Sequence, residues 1–152
     1  MAVCTCVINA QGDCFYHCPK GSVKMVNTKH TPTANGCGAM GIQVSSKFDF
    51  TSCCNRHDYC YDTCRKDKKK CDDAFHQCMQ THCRKQYKAT LNINECLGMA
   101  KTYYSGTLIF GCTPFLESQQ NACTCVKKKP KDYDAKQAAK KSKKAKDKPK
   151  YE

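Results

Sequence analysis

Helical periodicity dominates one part of this chain. Between residues 51 and 83 there is no Pro or Gly, and cysteines and apolar residues recur at α-helical spacing on either side of the polar segment RKDKKK. We therefore predict two helices, about 52–66 and 70–85, whose short connection makes them antiparallel. The expected N-caps of the first helix are Thr51 and Ser52, and the first turn of the second helix is expected to hold Asp72 and Asp73.

Cysteine spacing supports an antiparallel pairing of these helices. Cys53 and Cys60 are seven residues apart, and so are Cys71 and Cys78, which puts each pair on one helix face. Facing residues of an antiparallel pair have numbers with a constant sum, and Cys53 with Cys78 gives the same sum as Cys60 with Cys71. One register would thus form two disulfides at once, although spacing alone does not prove connectivity.

The same register gathers ionisable side chains. His57 lies on the cysteine seam, and Asp72 is about 3 Å along the axis from the position opposite it. Tyr61 and Asp58 lie on adjoining parts of the first helix. One interpretation is a packed core histidine beside an exposed carboxylate; a zinc site is disfavoured, because the cysteines follow disulfide spacing. The functional interpretation is a histidine base oriented by Asp72, with Asp58 free to hold a hard cation.

Other segments give weaker patterns. Apolar runs at 91–97 and 103–110 predict a third helix or a half-buried segment, closed by Cys96 and Cys112. A stapled N-terminus is predicted from Cys4, Cys6, Cys14 and Cys18. Four apolar residues either ring the mouth of a site or pack in the core: Ile42, Val44, Phe48 and Phe50. Four histidines without a partner pattern are interpreted as structural: His17, His30, His76 and His82.

Composition places the chain in an oxidising compartment. Sixteen of its 152 residues are cysteine, which is typical of disulfide scaffolds and excludes an ordinary cytosolic enzyme. No apolar run approaches the roughly 18 residues of a transmembrane helix. We expect a secreted, extracellular protein. Met1 leads into a Cys-rich segment without an apolar leader, so we interpret the sequence as a mature chain with an initiator Met or as a clipped one.

Positive charge is concentrated behind the last cysteine. The net charge is +13, and residues 127–152 hold 12 basic and 4 acidic residues, a net of +8. This predicts a disulfide-stapled domain at 1–126 and a Lys-rich, disordered tail at 127–152. Such a tail is a solubilising extension or attracts anionic lipids and other polyanions. Within the tail only Tyr133 and Tyr151 offer base stacking, so we expect no specific nucleic-acid partner.

A family resemblance adds to this pattern. Residues 53–61 read CCNRHDYCY and resemble the CCxxHDxCY signature of secreted phospholipases A2, and Cys71-Asp72 with Cys78 is similar to that family's second motif. The group XII branch is the most similar, through NGCG at 35–38, GCTPFLESQ at 111–119 and the closing Cys-x-Cys at 123–125. The resemblance covers about residues 14–125. It implies a mostly α, disulfide-rich fold in which a Gly-rich calcium loop precedes two cross-linked antiparallel helices that carry the active site.

The resemblance also implies roles for individual residues. His57 would take a proton from the water that attacks the sn-2 ester of a glycerophospholipid. Asp72 would orient His57, and Tyr61 would donate a hydrogen bond to Asp72. Asp58 would bind Ca²⁺, a hard ion that prefers oxygen ligands. No nucleophilic side chain is needed, and no Gly-x-Ser-x-Gly motif is present.

The remaining calcium ligands would be carbonyl oxygens of the loop NGCGAMG at residues 35–41. Gly36, Gly38 and Met40 are the candidates, with Gly41 as the alternative to Met40. The Gly38 N–H would donate to the oxyanion. This loop departs from the usual family pattern, which implies weaker calcium binding. The family pattern also pairs Cys37 with Cys54.

The implied function is calcium-dependent hydrolysis of the sn-2 ester of glycerophospholipids, which gives a fatty acid and a lysophospholipid. The protein would act as a monomer bound peripherally to a phospholipid membrane surface, with the tail favouring anionic lipids. Two alternatives stay open. In the first, the chain is a catalytically weak or inactive secreted protein of the same fold that binds a lipid or a receptor. In the second, the tail is the functional part and binds polyanions.

Overall fold

The computed structural model describes residues 6–8, 14–39, 42–43 and 47–128. This part of the chain is mostly helical, with four helices: α1 (Thr51–Tyr61), α2 (Lys68–Gln86), α3 (Thr90–Phe110) and α4 (Cys112–Ala122). Six short strands accompany them: β1 (Cys6–Ile8), β2 (Cys14–Tyr16), β3 (Ser22–Val26), β4 (Gly38–Ala39), β5 (Ile42–Gln43) and β6 (Cys123–Lys127). The predicted mostly α, disulfide-rich fold is confirmed.

The strands form two-stranded antiparallel sheets, β1 with β2, β3 with β6 and β4 with β5. The β3–β6 pair joins distant parts of the chain, because Ser22 faces Lys127 and Val26 faces Cys123. The Lys128 N–H also donates to the Gly21 carbonyl at 2.8 Å. Ordered backbone pairing therefore reaches the first residues of the predicted tail, and residues 129–152 lie outside the described residues.

Seven disulfides cross-link the described part of the chain. Cys53–Cys78 and Cys60–Cys71 are both formed, which confirms the predicted antiparallel register of α1 and α2. Cys37 pairs with Cys54, as the resemblance implied. The other four are Cys14–Cys112, Cys18–Cys125, Cys64–Cys123 and Cys83–Cys96. Cys14 and Cys18 are thus tied to the C-terminal part of the domain; Cys4 and the side chain of Cys6 lie outside the described residues.

The boundaries of α1 differ from the prediction at both ends. The helix ends at Tyr61 instead of near residue 66, because the side chain of Gln119 donates to the carbonyl oxygens of Tyr61 and Thr63 at 2.7 and 2.8 Å. Its N-cap is Phe50, and the Asp49 carboxylate accepts the N–H of Thr51 at 3.0 Å. The predicted caps Thr51 and Ser52 are therefore wrong, since both residues are already helical.

The second helix begins earlier than predicted. Its N-cap is Asp67, whose carboxylate accepts the Lys70 N–H at 2.9 Å. Because α2 starts at Lys68, Asp72 and Asp73 lie beyond the first turn, contrary to the prediction. The connection between α1 and α2 consists of residues 62–67. It includes Arg65, which has a left-handed conformation with a φ of 71°.

The larger of the two hydrophobic clusters among the described residues lies where α1, α2 and α3 meet. Phe48 and Phe50 are buried there against Phe75 and Met79, so of the two expected locations for these phenylalanines the core is correct. The side chains of Ile42 and Val44 lie outside the described residues. The third predicted element is one continuous helix, α3, and Cys83–Cys96 fixes it to α2. No described helix has the length and apolar character needed to cross a membrane.

Candidate active site

A buried histidine and aspartate meet across the α1–α2 seam. His57 Nε2 lies 2.7 Å from Asp72 Oδ1, and the Tyr61 hydroxyl donates to the same oxygen at 2.6 Å. Asp72 is fully buried, and His57 is 9% exposed. Two disulfides flank this point and fix the helix register, so the geometry is imposed by the backbone. The structure thus brings together three of the residues predicted from the sequence.

Asp72 is held in its ionised form. Burial raises the pKa of this carboxyl, but hydrogen bonds from His57, Lys68 and Tyr61 and the charge of Lys68 outweigh burial, so its pKa lies below the ordinary value. An ionised carboxylate can only accept hydrogen bonds, so the ring proton of neutral His57 belongs on Nε2. Nδ1 is then the ring nitrogen that can accept a proton from another molecule.

Aromatic rings hold the imidazole in place. The His57 ring packs against Phe75, with centroids 4.6 Å apart and an interplanar angle of 26°, and against Tyr61 at 4.2 Å. Burial and the adjacent Asp72 carboxylate raise the pKa of Tyr61, which keeps its hydroxyl protonated as a donor. The histidine is therefore fixed by packing as well as by hydrogen bonding, as a positioned base requires.

A second face of α1 holds the glycine-containing segment that precedes it. Cys54 and Asp58 of α1 and its C-cap residue, Asp62, are spaced by four residues and therefore lie in a row along one side of the helix. Cys54 is bonded to Cys37. Asp58 Oδ2 accepts the N–H of Asn35 at 3.0 Å. The row therefore binds the segment before α1 at successive helical turns, and this segment lies beside His57.

Asp62 provides the third fastening point of this loop. Its Oδ2 accepts the backbone N–H of Thr33 at 2.8 Å, and its Oδ1 lies 2.8 Å from His30 Nε2. Asp62 is 6% exposed, so this interaction is largely shielded from water. Sequence reasoning missed Asp62 and assigned His30 no partner; the four-residue spacing from Asp58 was the available signal.

Three of the residues predicted to hold calcium line the same cavity. Asp58, Gly36 and Gly38 line one cavity of about 620 Å³ together with His57, whereas Met40 and Gly41 lie outside the described residues. Gly36 has a φ of 85°, a conformation that strongly favours glycine. Of the predicted set, the structure therefore brings the carboxylate and two glycines to the same cavity as the histidine.

The charge environment of Asp58 suits a cation. Burial raises the pKa of Asp58 and the Asp62 carboxylate adds to this, while the N–H groups of Asn35 and Gly36 and the neighbouring His57 lower it. Among the described ion pairs, none neutralises Asp58. The described residues include no group of three or more His, Cys, Asp or Glu side chains that could hold a metal ion. The loop before α1 offers backbone carbonyl oxygens beside the Asp58 carboxylate. An all-oxygen set of this kind fits Ca²⁺.

The cavity has an apolar wall that the sequence did not predict. It is formed by α3 and α2 side chains, among them Met99, Tyr103, Phe110 and Phe75. A cavity with apolar walls and a few converging polar groups is the usual form of a site for an organic ligand. The site therefore combines an oriented histidine, an unneutralised carboxylate and an apolar cavity.

Fold and site together define a disulfide-cross-linked helical protein with a buried His–Asp pair beside a ligand-sized cavity. Residues 2–133 match the family model described as group XII secretory phospholipase A2 precursor. The chain therefore belongs to the group XII secretory phospholipase A2 family, which confirms the resemblance seen in the motifs.

Curated relatives agree with this assignment. The group XIIA secretory phospholipases A2 of Mus musculus and Homo sapiens are each 35% identical over 121 residues, which is 75% of this chain and 63% and 64% of theirs. The group XIIB secretory phospholipase A2-like protein of Mus musculus is 35% identical over 128 residues, 76% of this chain and 65% of its own. The chain spans just under two thirds of the length of these relatives. No solved structure matches it.

Proposed function

We propose that this chain is a secreted, calcium-dependent phospholipase A2 that hydrolyses the sn-2 ester of glycerophospholipids. The observation that carries the proposal is the buried His57–Asp72 pair, which lines the same cavity as the Asp58 carboxylate. A protein that only binds lipid has no need of an oriented imidazole beside an unneutralised carboxylate. The disulfide framework suits the extracellular compartment that a secreted enzyme enters.

His57 is the proposed general base. Its Nδ1 accepts a proton from the water molecule whose oxygen attacks the ester carbon, while Nε2 keeps its proton on Asp72. Asp72 stabilises the imidazolium that forms, and Tyr61 holds the carboxylate in place. The imidazolium then returns the proton to the departing sn-2 oxygen, so the products are a fatty acid and a lysophospholipid.

Asp58 is the proposed side-chain ligand of Ca²⁺, with carbonyl oxygens of Gly36, Gly38 and Met40 completing the protein ligands. When bound, the ion supplies positive charge for the ester carbonyl, the developing oxyanion and the phosphate. The Gly38 N–H is proposed as a further donor to the oxyanion. The raised pKa of Asp58 supports this assignment, because a bound cation would offset the cost of burying its charge.

The proposed partner is a phospholipid membrane surface, bound peripherally by a monomer. Three apolar residues at the end of α3 support this: Leu108, Ile109 and Phe110 are 52%, 69% and 69% exposed. Phe110 also lines the cavity, so this apolar end adjoins the site. The net charge of +13 favours anionic lipids over neutral ones and gives no specificity for nucleic acid.

Fatty-acid release from mixed phosphatidylcholine and phosphatidylglycerol vesicles tests the proposal. The oxidised protein is assayed with calcium and with a chelator, beside His57→Gln and a matched control, His76→Gln, which changes a histidine outside the site. We expect calcium-dependent release at the sn-2 position that is retained by the control and lost in His57→Gln. Release by pure His57→Gln at the wild-type rate would refute the assignment of the base.

A second candidate is a catalytically weak or inactive lipid- or receptor-binding protein on the same scaffold. The loop that departs from the usual family pattern motivates it. Vesicle binding without any release by the folded wild-type protein would favour this candidate over the enzyme.

A further inference from the structure

The lysine that begins α2 lies inside the candidate site. Lys68 Nζ is 2.6 Å from Asp72 Oδ2, the carboxylate oxygen that His57 and Tyr61 do not use. Its side chain is only 11% exposed. The ammonium also lies 6.0 Å from the centre of the Tyr61 ring. Lys68 therefore contacts two members of the predicted site, although no sequence motif marked it.

The neighbouring lysine shows what is unusual about this contact. Lys69 forms the same four-residue pair with Asp73, also at 2.6 Å, but its side chain is 72% exposed and that of Asp73 is 46% exposed. The Lys68 and Asp72 side chains are 11% and 1% exposed. Water screens the outer pair, whereas the inner pair is largely desolvated, so its charges act on each other and on their surroundings more strongly.

Lys68 also connects the His57–Asp72 pair to another helix. Its Nζ donates to the Thr107 carbonyl oxygen in the last turn of α3 at 2.8 Å. Thr107 lines the cavity and precedes the exposed apolar end of α3. One ammonium group thus ties together Asp72 on α2 and the cavity wall on α3, and its two bonds fix where it sits.

The two oxygens of Asp72 therefore have separate tasks. Oδ1 accepts from His57 and Tyr61, and Oδ2 accepts from Lys68. Without Lys68, Oδ2 would be a buried acceptor whose full negative charge lacks its cationic partner, and the carboxylate would be free to rotate towards water or another donor. We propose that Lys68 is a positioning residue of the hydrolytic site, which holds the Asp72 carboxylate so that Oδ1 stays on His57. This inference rests on the proposed function.

The test compares three variants in the vesicle assay. Lys68→Met keeps the aliphatic stem and removes the charge, Lys69→Met makes the same change in the exposed pair, and Lys68→Arg restores charge and donors. We expect Lys68→Met to lower kcat about 10- to 100-fold with KM changed less than about twofold, as for loss of a residue that orients a catalytic group. Lys69→Met should match the wild type, and Lys68→Arg should recover part of the lost kcat.

The outcomes separate this inference from the function on which it rests. Wild-type kcat in folded Lys68→Met would overturn the positioning role while leaving the phospholipase standing. Absence of release by the wild-type protein would overturn the proposed function and the role together. Thermal midpoints are measured for each variant, and if Lys68→Met unfolds, Lys68→Gln replaces it, with loss of kcat supporting the role and an unchanged kcat overturning it.

Discussion

Gly111 lies so close to Tyr61 that a side chain cannot be accommodated between them. A Cβ atom at position 111 would be 2.8 Å from the Tyr61 hydroxyl oxygen and 3.1 Å from Lys68 Cε, and it would overlap the Thr107 carbonyl oxygen. The φ of Gly111 is −76°, so the backbone conformation suits any residue and the constraint is one of space. The junction between α3 and α4 thus packs directly on the groups that hold Asp72.

Substitution of Gly111 should therefore be costly. We expect Gly111→Ala to lower the free energy of unfolding by about 1–3 kcal/mol through overpacking and to reduce turnover, because Tyr61 and Lys68 must shift. Gly98→Ala is the matched control in α3: a Cβ atom there would meet no neighbouring atom within 4 Å, so the substitution should stabilise the helix by about 0.5–1 kcal/mol. Denaturant unfolding of both variants tests this, and unchanged stability of Gly111→Ala would contradict the packing described.

The sequence was sufficient for the centre of the molecule. Helical periodicity and two cysteine pairs determine one register, and that register by itself brings Asp72 to within one helical turn of the position opposite His57. Because both disulfides require the same register, few other alignments of the two helices are possible. Family motifs added the pairing of Cys37 with Cys54, which helix geometry alone could not provide.

The parts that were missed depend on contacts between distant segments. Lys68 and Lys69 make identical four-residue pairs in sequence, and only the packing of α3 buries one of them. The end of α1 is set by Gln119, which lies 58 residues from Tyr61. The β3–β6 pair likewise joins segments that are far apart along the chain. Local sequence patterns do not predict contacts between residues that are far apart along the chain, so these features are seen only in the folded structure.

Removal of the Asp58 charge should abolish calcium binding. The cavity lining includes two other carboxylates, Asp62 and Glu117, and Asp62 is already engaged by His30 and Thr33. We expect Asp58→Asn to lose the heat of calcium binding in titration calorimetry together with its turnover, while Asp73→Asn, an exposed carboxylate of α2, binds as the wild type does. A calcium isotherm in Asp58→Asn equal to that of the wild type would refute the ligand assignment.

The Cys37–Cys54 disulfide should matter more for function than for stability. It closes 17 residues and holds the loop beside Asp58, whereas Cys83–Cys96 closes a similar 13 residues within the core. Replacing either pair by Ala should lower the free energy of unfolding by a similar amount, about 2–4 kcal/mol. We expect only the Cys37→Ala/Cys54→Ala protein, assayed where it remains folded, to lose calcium affinity. Equal calcium affinity in the two double variants would contradict a role for this disulfide in ordering the loop.

Acid should weaken the protein through Asp72. The pKa of this carboxyl lies below its ordinary value of 3.8, so ionised Asp72 contributes stability that is complete above that value and is lost as the pH falls through the folded-state pKa. Asp72→Asn should therefore be much less stable than the wild type near neutral pH, and the gap should narrow below about pH 4. Asp73→Asn, whose carboxylate is exposed, should show a small gap throughout. Urea unfolding across this pH range measures both, and a constant gap for Asp72→Asn would exclude the linkage.

The exposed end of α3 should determine attachment to lipid vesicles. Leu108 and Ile109 are 52% and 69% exposed and do not line the cavity, so their removal should not disturb the site itself. We expect Leu108→Ser/Ile109→Ser to weaken binding to phosphatidylglycerol-containing vesicles about tenfold or more, since each apolar side chain buried in lipid contributes about 1 kcal/mol or more. Leu91→Ser, at the opposite end of the same helix and 70% exposed, is the matched control and should bind as the wild type does. Equal weakening by Leu91→Ser would mean that lipid contacts are spread over α3 and are not centred on the cavity.

Deletion of residues 129–152 should instead remove the salt-sensitive part of vesicle binding, because that segment carries much of the positive charge.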